Sequence, residues 1–253
     1  MAQLTIGLRI RGDDVDRTGA VAPTRLLSLL EHARWEALRN PDLGMDQLMQ
    51  GGHKLVVRAQ RLELGARAVF GDEVQIRLWY RAIGRTSLEM GQDIHAQGQM
   101  IAQAIVTAVH VGPDGRPTPV PEGLRGRVVA EPLPDVLVNA TVPNGEPPLD
   151  AFLFRHTVRP SETDVFGHIN HAGYLDLFED ARYFGESAQA FAPGWVAGLP
   201  LQRVVLDYRQ EVKAAQTVTV HLWPLAQPHA LGCELTRDDG PTTRATLWVR
   251  PPA

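Results

Sequence analysis

The sequence predicts an α+β protein built from two copies of one unit, each a first strand, a long buried helix and four further strands. Three observations carry this. Leu4, Ile6, Leu8 and Ile10 alternate with polar or small residues at period two, and Leu26, Leu29, Leu30, Ala33 and Ala37 then fall on one helical face. Shifting the chain by 148 (164 minus 16) lays Arg11 to Trp35 over Arg159 to Tyr183 without a gap, with eight of twenty-five positions identical: Arg11, Asp16, Gly19, Leu27, Leu29, Glu31, Ala33 and Arg34. Unrelated segments share roughly one or two at ordinary residue frequencies. Between the copies, residues 126–150 hold five prolines and little periodicity, which reads as a linker. The expected division is therefore a domain over 1–125, a linker over 126–150 and a second domain over 151–253, a tandem pair that would bury shared surface as a pseudo-dimer.

The elements follow in order. After the first strand, an acidic turn at Asp13, Asp14, Asp16 and Gly19 leads into the helix, which Asn40-Pro41 closes. Strands are expected at 54–64, 73–83, 86–96 and 99–112; Pro113-Asp114-Gly115 marks a turn, and GRPTPVPEGLR then leaves the sheet. The second copy starts with Phe152, Phe154 and Val158 and continues into a helix from about Asn170, with Tyr174, Leu177, Phe178, Ala181 and Ala188 on its apolar face. Strands at about 201–212, 216–223, 229–236 and 243–250 complete it. Trp79 and Trp223 follow the same V-x-[IV]-x-L pattern and read as duplicated core packing, not as a binding platform.

Bulk properties narrow the function. A chain of 253 residues with 44% hydrophobic and 21% charged residues reads as globular, and a net charge of -4 without a basic block argues against nucleic acid or an anionic membrane as partner. No apolar run approaches the roughly 20 residues of a membrane span, and the N-terminus does not resemble a targeting segment, so a cytoplasmic location is expected. The lone Cys233 excludes an internal disulfide and reads as a small buried apolar residue.

Chemistry concentrates in Arg159 to Phe184. Asp164 precedes Gly167 by three residues and His168 by four, in a loop feeding a helix N-terminus whose N–H groups and dipole favour developing negative charge. A carboxylate beside a polarised carbonyl suits hydrolysis, His168 and Asn170 are placed to orient water or a thioester oxygen, and Gly167 admits close approach of substrate. Asp164 and Asn170 as plain turn and cap residues is the structural alternative. A cap needs one polar side chain, whereas this stretch supplies Asp164, His168, Asn170 and His171. A metal site on His168 and His171 is weakly supported by their spacing, and no metal is expected. Glu179 and Arg182 read as a surface or end-of-helix pair, and His95, His110 and His156 as structural.

The run DVFGHINHAGYLDLFEDAR resembles the signature of hotdog-fold thioesterases, both the 4-hydroxybenzoyl-CoA type and the acyl-ACP type, whose common form is D-x-x-G-H-V-N-N-x-x-Y followed by a helical E-x-A-R. The resemblance extends to Asp207-Tyr208-Arg209-Gln210-Glu211 and to GRPTPVPEGLR. It implies a tandem double hotdog, each unit a long helix wrapped by an antiparallel sheet of about five strands. It also implies hydrolysis of an acyl-CoA or acyl carrier protein thioester without metal or bound cofactor. By that likeness Asp164 is general base or nucleophile, His168, Asn170 and Glu211 assist, and Gly167, Ile169, His171 and Tyr174 contact substrate. The sequence departs from the acyl-ACP pattern at Phe166, His171 and Val212.

The first copy keeps Asp16 and Gly19 but reads Ala20-Val21-Ala22-Pro23 where the second has His-Ile-Asn-His. It is expected to shape the pocket, with Leu26, Leu30 and Trp35 lining an acyl tunnel; a second active site at Asp16 and Gly19 is the alternative. The chain would act as a monomeric pseudo-dimer or as a homodimer of double hotdogs. A non-catalytic acyl-thioester sensor and a hotdog hydratase or dehydratase are the rival functions.

Overall fold

The computed structural model describes residues 3–191 and 199–250. By contact the chain divides into two compact units, Met1–Asn139 and Ala140–Ala253. The first contains β1 (Gln3–Arg9), α1 (Pro23–Ala37), β2 (Lys54–Leu64), β3 (Glu73–Ile83), β4 (Ser87–Ala96), β5 (Gln99–Val111) and the short α2 (Asp135–Val138). Its strands run β1-β3-β4-β5-β2, with all pairings antiparallel. The second contains β6 (Phe152–Thr157), α3 (Gly173–Ser187), β7 (Leu201–Tyr208), β8 (Thr217–Pro224), β9 (Ala230–Arg237) and β10 (Gly240–Val249), ordered β6-β8-β9-β10-β7, again antiparallel. The two units thus repeat one strand order, and each is α+β.

The long helices bury the stripes that the sequence outlines, with local changes. In α1, Leu26, Leu30, Ala33 and Ala37 are buried, but Leu27 takes a fully buried place while Leu29 is half-buried. Trp35 is 44% exposed, with its indole N–H donating to Glu31 at 3.3 Å. In α3, Tyr174, Leu177, Phe178 and Ala181 are buried. Ala188 is exposed just past the helix end, and the inward position belongs to Gly185, where a Cβ would come within 2.5 Å of Phe191. Arg182 is also buried; it pairs with Glu179 and donates to the Leu199 carbonyl at 2.9 Å, so this pair is an inner tie and not a surface one.

The proline-rich stretches pack as far as Pro143, while residues 144–150 are mostly exposed. GRPTPVPEGLR folds back onto its own unit: Thr118 N–H donates to the His110 carbonyl, Val120 N–H to that of Arg85, and Leu124 enters the core beside Leu78, Tyr80 and Leu88. Further on, Val129 N–H donates to the Tyr80 carbonyl and Leu137 is fully buried. Thr141 and Pro143 accept bonds from Thr246 and Arg244 of β10.

Each sheet contains the same cross-strand device. Trp79 of β3 lies opposite Gly91 of β4, and Trp223 of β8 lies opposite Gly232 of β9. A Cβ at either glycine would stand 2.4 Å from the indole ring, so the glycines are there for close approach. Both tryptophans are buried core, as is Cys233, whose thiol burial pushes well up. Gly232→Ala should therefore force the Trp223 ring or β9 to shift, lowering stability by about 1–3 kcal/mol in a denaturant titration.

Candidate active site

The loop from Arg159 to Gly173 is built around three closures. Arg159 N–H donates to Glu162 Oε2 at 2.7 Å, and His156 Nε2 lies 2.8 Å from the same oxygen, which anchors the loop on β6. Asp164 N–H donates to the His168 carbonyl at 2.9 Å and Gly167 N–H to the Asp164 carbonyl at 3.0 Å, making a tight turn. Within it, Phe166 N–H donates to Asp164 Oδ1 at 2.8 Å. Gly167 has φ +80°, in the left-handed region where a side chain is strained, and nothing lies within 4 Å of where its Cβ would be. The turn is therefore open on that side.

After the turn, Ile169 is buried and its N–H donates to the Val212 carbonyl at 2.8 Å, while His168 bridges to Lys213. That contact brings the 209–216 loop alongside the motif. Helix α3 starts at Gly173, three residues later than the period suggested, because Asn170 closes the preceding turn: its Oδ1 accepts from Ala172 N–H at 2.9 Å and its carbonyl from Gly173 N–H at 2.8 Å. In the first copy Pro23, whose fixed φ suits a first helical position, opens α1 directly.

The side chains converge on His168. Its Nδ1 is 3.6 Å from Asp164 Oδ2 and its Nε2 is 3.7 Å from Glu211 Oε1, and the Phe166 ring stacks on it at 5.9 Å between centroids. Asp164 and His168 are largely covered, with side chains 21% and 23% exposed, whereas Glu211 is 62% exposed. Both gaps exceed hydrogen-bond length. Tyr174 is buried against Tyr208, ring centroids 5.4 Å apart, and burial first of all pushes its phenol up to about 12. Tyr208 Oη–H donates to the His171 carbonyl at 2.8 Å. Of the sequence candidates, Asp164, Gly167, His168 and Glu211 come together around one open turn. Ile169 and Tyr174 lie inside the unit, and Asn170 and His171 form the entry to the helix. Among the described residues no group of three or more His, Cys, Asp or Glu is arranged to hold a metal. A shallow depression of about 500 Å³ lies elsewhere, on Glu73, Gln75, Arg77, His95, Gln97 and Gly98, and contains no motif residue.

The first unit repeats the turn with different side chains around it. Asp16 N–H donates to the Ala20 carbonyl, Gly19 N–H to the Asp16 carbonyl, and Thr18 N–H to Asp16 Oδ1 at 2.7 Å. Thr18 Oγ1–H also donates to Asp16 Oδ1, at 2.6 Å, and Arg67 donates to the Thr18 carbonyl and hydroxyl. The Val21 N–H bond to the Ala68 carbonyl matches that of Ile169 to Val212, which places Arg67 at the position of Glu211. Arg67 lies outside the gapless repeat and is brought into correspondence by shifting the copies by 144 (212 minus 68).

A unit of five antiparallel strands with one long buried helix, present twice and carrying an acid-Gly-His turn before the second helix, is the architecture of double-hotdog acyl thioesterases. The chain belongs to the thioesterase-like superfamily, whose family model matches residues 10–128 and 158–235. A search of curated proteins gave no match. Among solved structures it is similar to the 12:0-ACP thioesterase of Umbellularia californica, with TM-score 0.79 and 14% identity over 100% of this chain and 98% of that one. It is similar to an acyl-ACP thioesterase of Bacteroides thetaiotaomicron, with TM-score 0.78 and 13% identity over 98% of each chain. It also resembles a putative oleoyl thioesterase of Lactobacillus plantarum, with TM-score 0.79 and 21% identity over 99% of this chain and 97% of that one. These likenesses establish the fold along the full length. No helix among the described residues is long and apolar enough to cross a membrane.

Glu162 supplies a test of how the loop is anchored. Burial pushes its carboxyl up, but the Arg159 N–H and His156 outweigh this, leaving it below its ordinary value. A carboxyl depressed in the folded state contributes stability above its unfolded pKa and loses it as pH falls through the folded one. Glu162→Gln should therefore lower stability at pH 7 by on the order of 1 kcal/mol, with the difference from wild type shrinking under acid in urea titrations at both pH values.

Proposed function

We propose that the chain hydrolyses a fatty acyl thioester, carried by coenzyme A or an acyl carrier protein, at the Asp164 turn of its second unit. The observation that carries this reading is the placement of His168 between Asp164 and Glu211 in the one copy of the turn that has all three. Family membership across both halves supports the reaction class. The full-length likeness to proteins described as acyl-ACP and oleoyl thioesterases supports a fatty acyl group over a small one.

In this mechanism Asp164 is the general base. Its Oδ1 is held by the Phe166 N–H, which leaves Oδ2, on the His168 side, to take a proton from water. The water oxygen attacks the thioester carbonyl, the C–S bond breaks, and the sulfur leaves as thiolate and takes up a proton. The products are a free acid and a thiol, with water as the only co-reactant. His168 and Glu211 orient the water and stabilise charge as it moves. Open space at Gly167 lets the acyl carbonyl approach the backbone of the turn.

The test is thiol release from a panel of short-chain, long-chain and aromatic acyl-CoA and acyl carrier protein thioesters. Long-chain thioesters should turn over fastest, and the better of the two carriers identifies the physiological one. Asp164→Asn should leave the circular-dichroism spectrum and unfolding midpoint near wild type while lowering kcat by about a hundredfold or more. Near-normal rates in that variant, or binding without thiol release across the panel, would sink the proposal.

A further inference from the structure

Arg237, at the end of β9, makes more bonds to the Glu211 loop than that loop needs in order to close. Its Nη1 donates to the Glu211 carbonyl at 2.8 Å, and its Nη2 donates to Gln210 Oε1 at 2.7 Å. Asp239 fixes the guanidinium from behind, with Arg237 Nε and Nη2 each 2.6 Å from a carboxylate oxygen. We propose that Arg237 is a positioning residue for thioester hydrolysis: by gripping Glu211 and Gln210 it sets the carboxylate of Glu211 opposite the imidazole of His168. The proposal rests on the function proposed above.

The duplicated unit acts as an internal control. Closure of the loop is common to both copies. Ala215 N–H donates to the Val158 carbonyl as Gly71 N–H does to that of Ile10. Gln216 Oε1 accepts from Lys213 N–H at 2.7 Å as Asp72 Oδ2 accepts from Val69 N–H at 2.9 Å. In the first unit a different guanidinium reaches the loop, Arg9 Nε donating to the Gly71 carbonyl at 3.4 Å, and the register position of Arg237 is Ala96: Val74 pairs with Ala96, and extending the Thr219–Thr236 pair by one residue sets Val218 against Arg237. The first unit lacks both the clamp and the acid it would position, since Arg67 stands where Glu211 does. Clamp and acid occur together in the unit that has His168.

A residue that merely stabilised the fold would act independently of Glu211, whereas one that acts through Glu211 should lose its effect when the carboxylate is gone. The test compares Arg237→Gln, Glu211→Gln and the double variant on the best substrate of the thioester panel, well below the lowest unfolding midpoint. Each single variant should lower kcat about tenfold with KM within about twofold, and the double variant should fall no further than Glu211→Gln alone. Arg237→Lys keeps one donor for the Glu211 carbonyl and should recover part of the loss; if Arg237→Gln does not fold, Arg237→Lys completes the same cycle. Multiplicative losses in the double variant, or an unchanged kcat in Arg237→Gln, overturn the positioning role. Asp164→Asn in parallel separates the two levels: if it is inactive while the cycle is multiplicative, only the Arg237 proposal fails, and if it is active, the site itself is misplaced.

Discussion

Everything at the site depends on one turn, in which an aspartate accepts the N–H two residues ahead, and a glycine three residues ahead adopts a φ near +80°. Each bond is worth little alone, about 1 kcal/mol net and somewhat more to a charged acceptor. Their effect is directional. They reverse the chain between an edge strand and a buried helix, and they fix where the helix enters the sheet. Asp164 is thus a turn residue and a candidate catalyst at once, since one oxygen closes the loop and the other remains for chemistry.

Duplication shows which part of that double role is structural. In the first unit Asp16 closes the same turn, yet Thr18 binds the same carboxylate oxygen twice and Arg67 braces Thr18. Carboxylate oxygen Oδ1, hydroxyl and guanidinium are there bonded to one another within the loop. In the second unit Phe166 offers only its N–H to the acid and lays its ring on His168, while Glu211 replaces the guanidinium. The turn is inherited by both copies, and the polar assistants belong to one.

The sequence made much of this legible because its signals are local. The shift from period two to a helical stripe located both long helices, the gapless repeat revealed the duplication, and Asp164, Gly167 and His168 lie within five residues. What it hid is cross-strand. Gly91 and Gly232 look like strand interruptions until the register puts a tryptophan over each. Gly185 displaced Ala188 because Phe191 and Phe152 leave no room for a side chain there. Arg237 is invisible beside Glu211 because 26 residues (237 minus 211) separate them and the copy offset drifts from 148 to 144 to 141 as loops change length. A gapless alignment ends before either position.

Ala215 adds a physical reason for the extra ties in the second unit. The corner residue of the Glu211 loop has φ +65°, where the first unit uses Gly71 at +89°. An alanine in the left-handed region costs about 1–2 kcal/mol, so the second loop is the more strained of the two and relaxes away from this shape unless held. Gln216 and the Val158 carbonyl hold its far side, and Arg237 holds the side that faces His168. Arg237 spans the segment, since its Nη1 also donates to Gln216 Oε1 at 3.5 Å. That leaves Glu211, the most exposed of the three site groups, with a backbone more fixed than its exposure suggests, as the proposed role of its carboxylate requires.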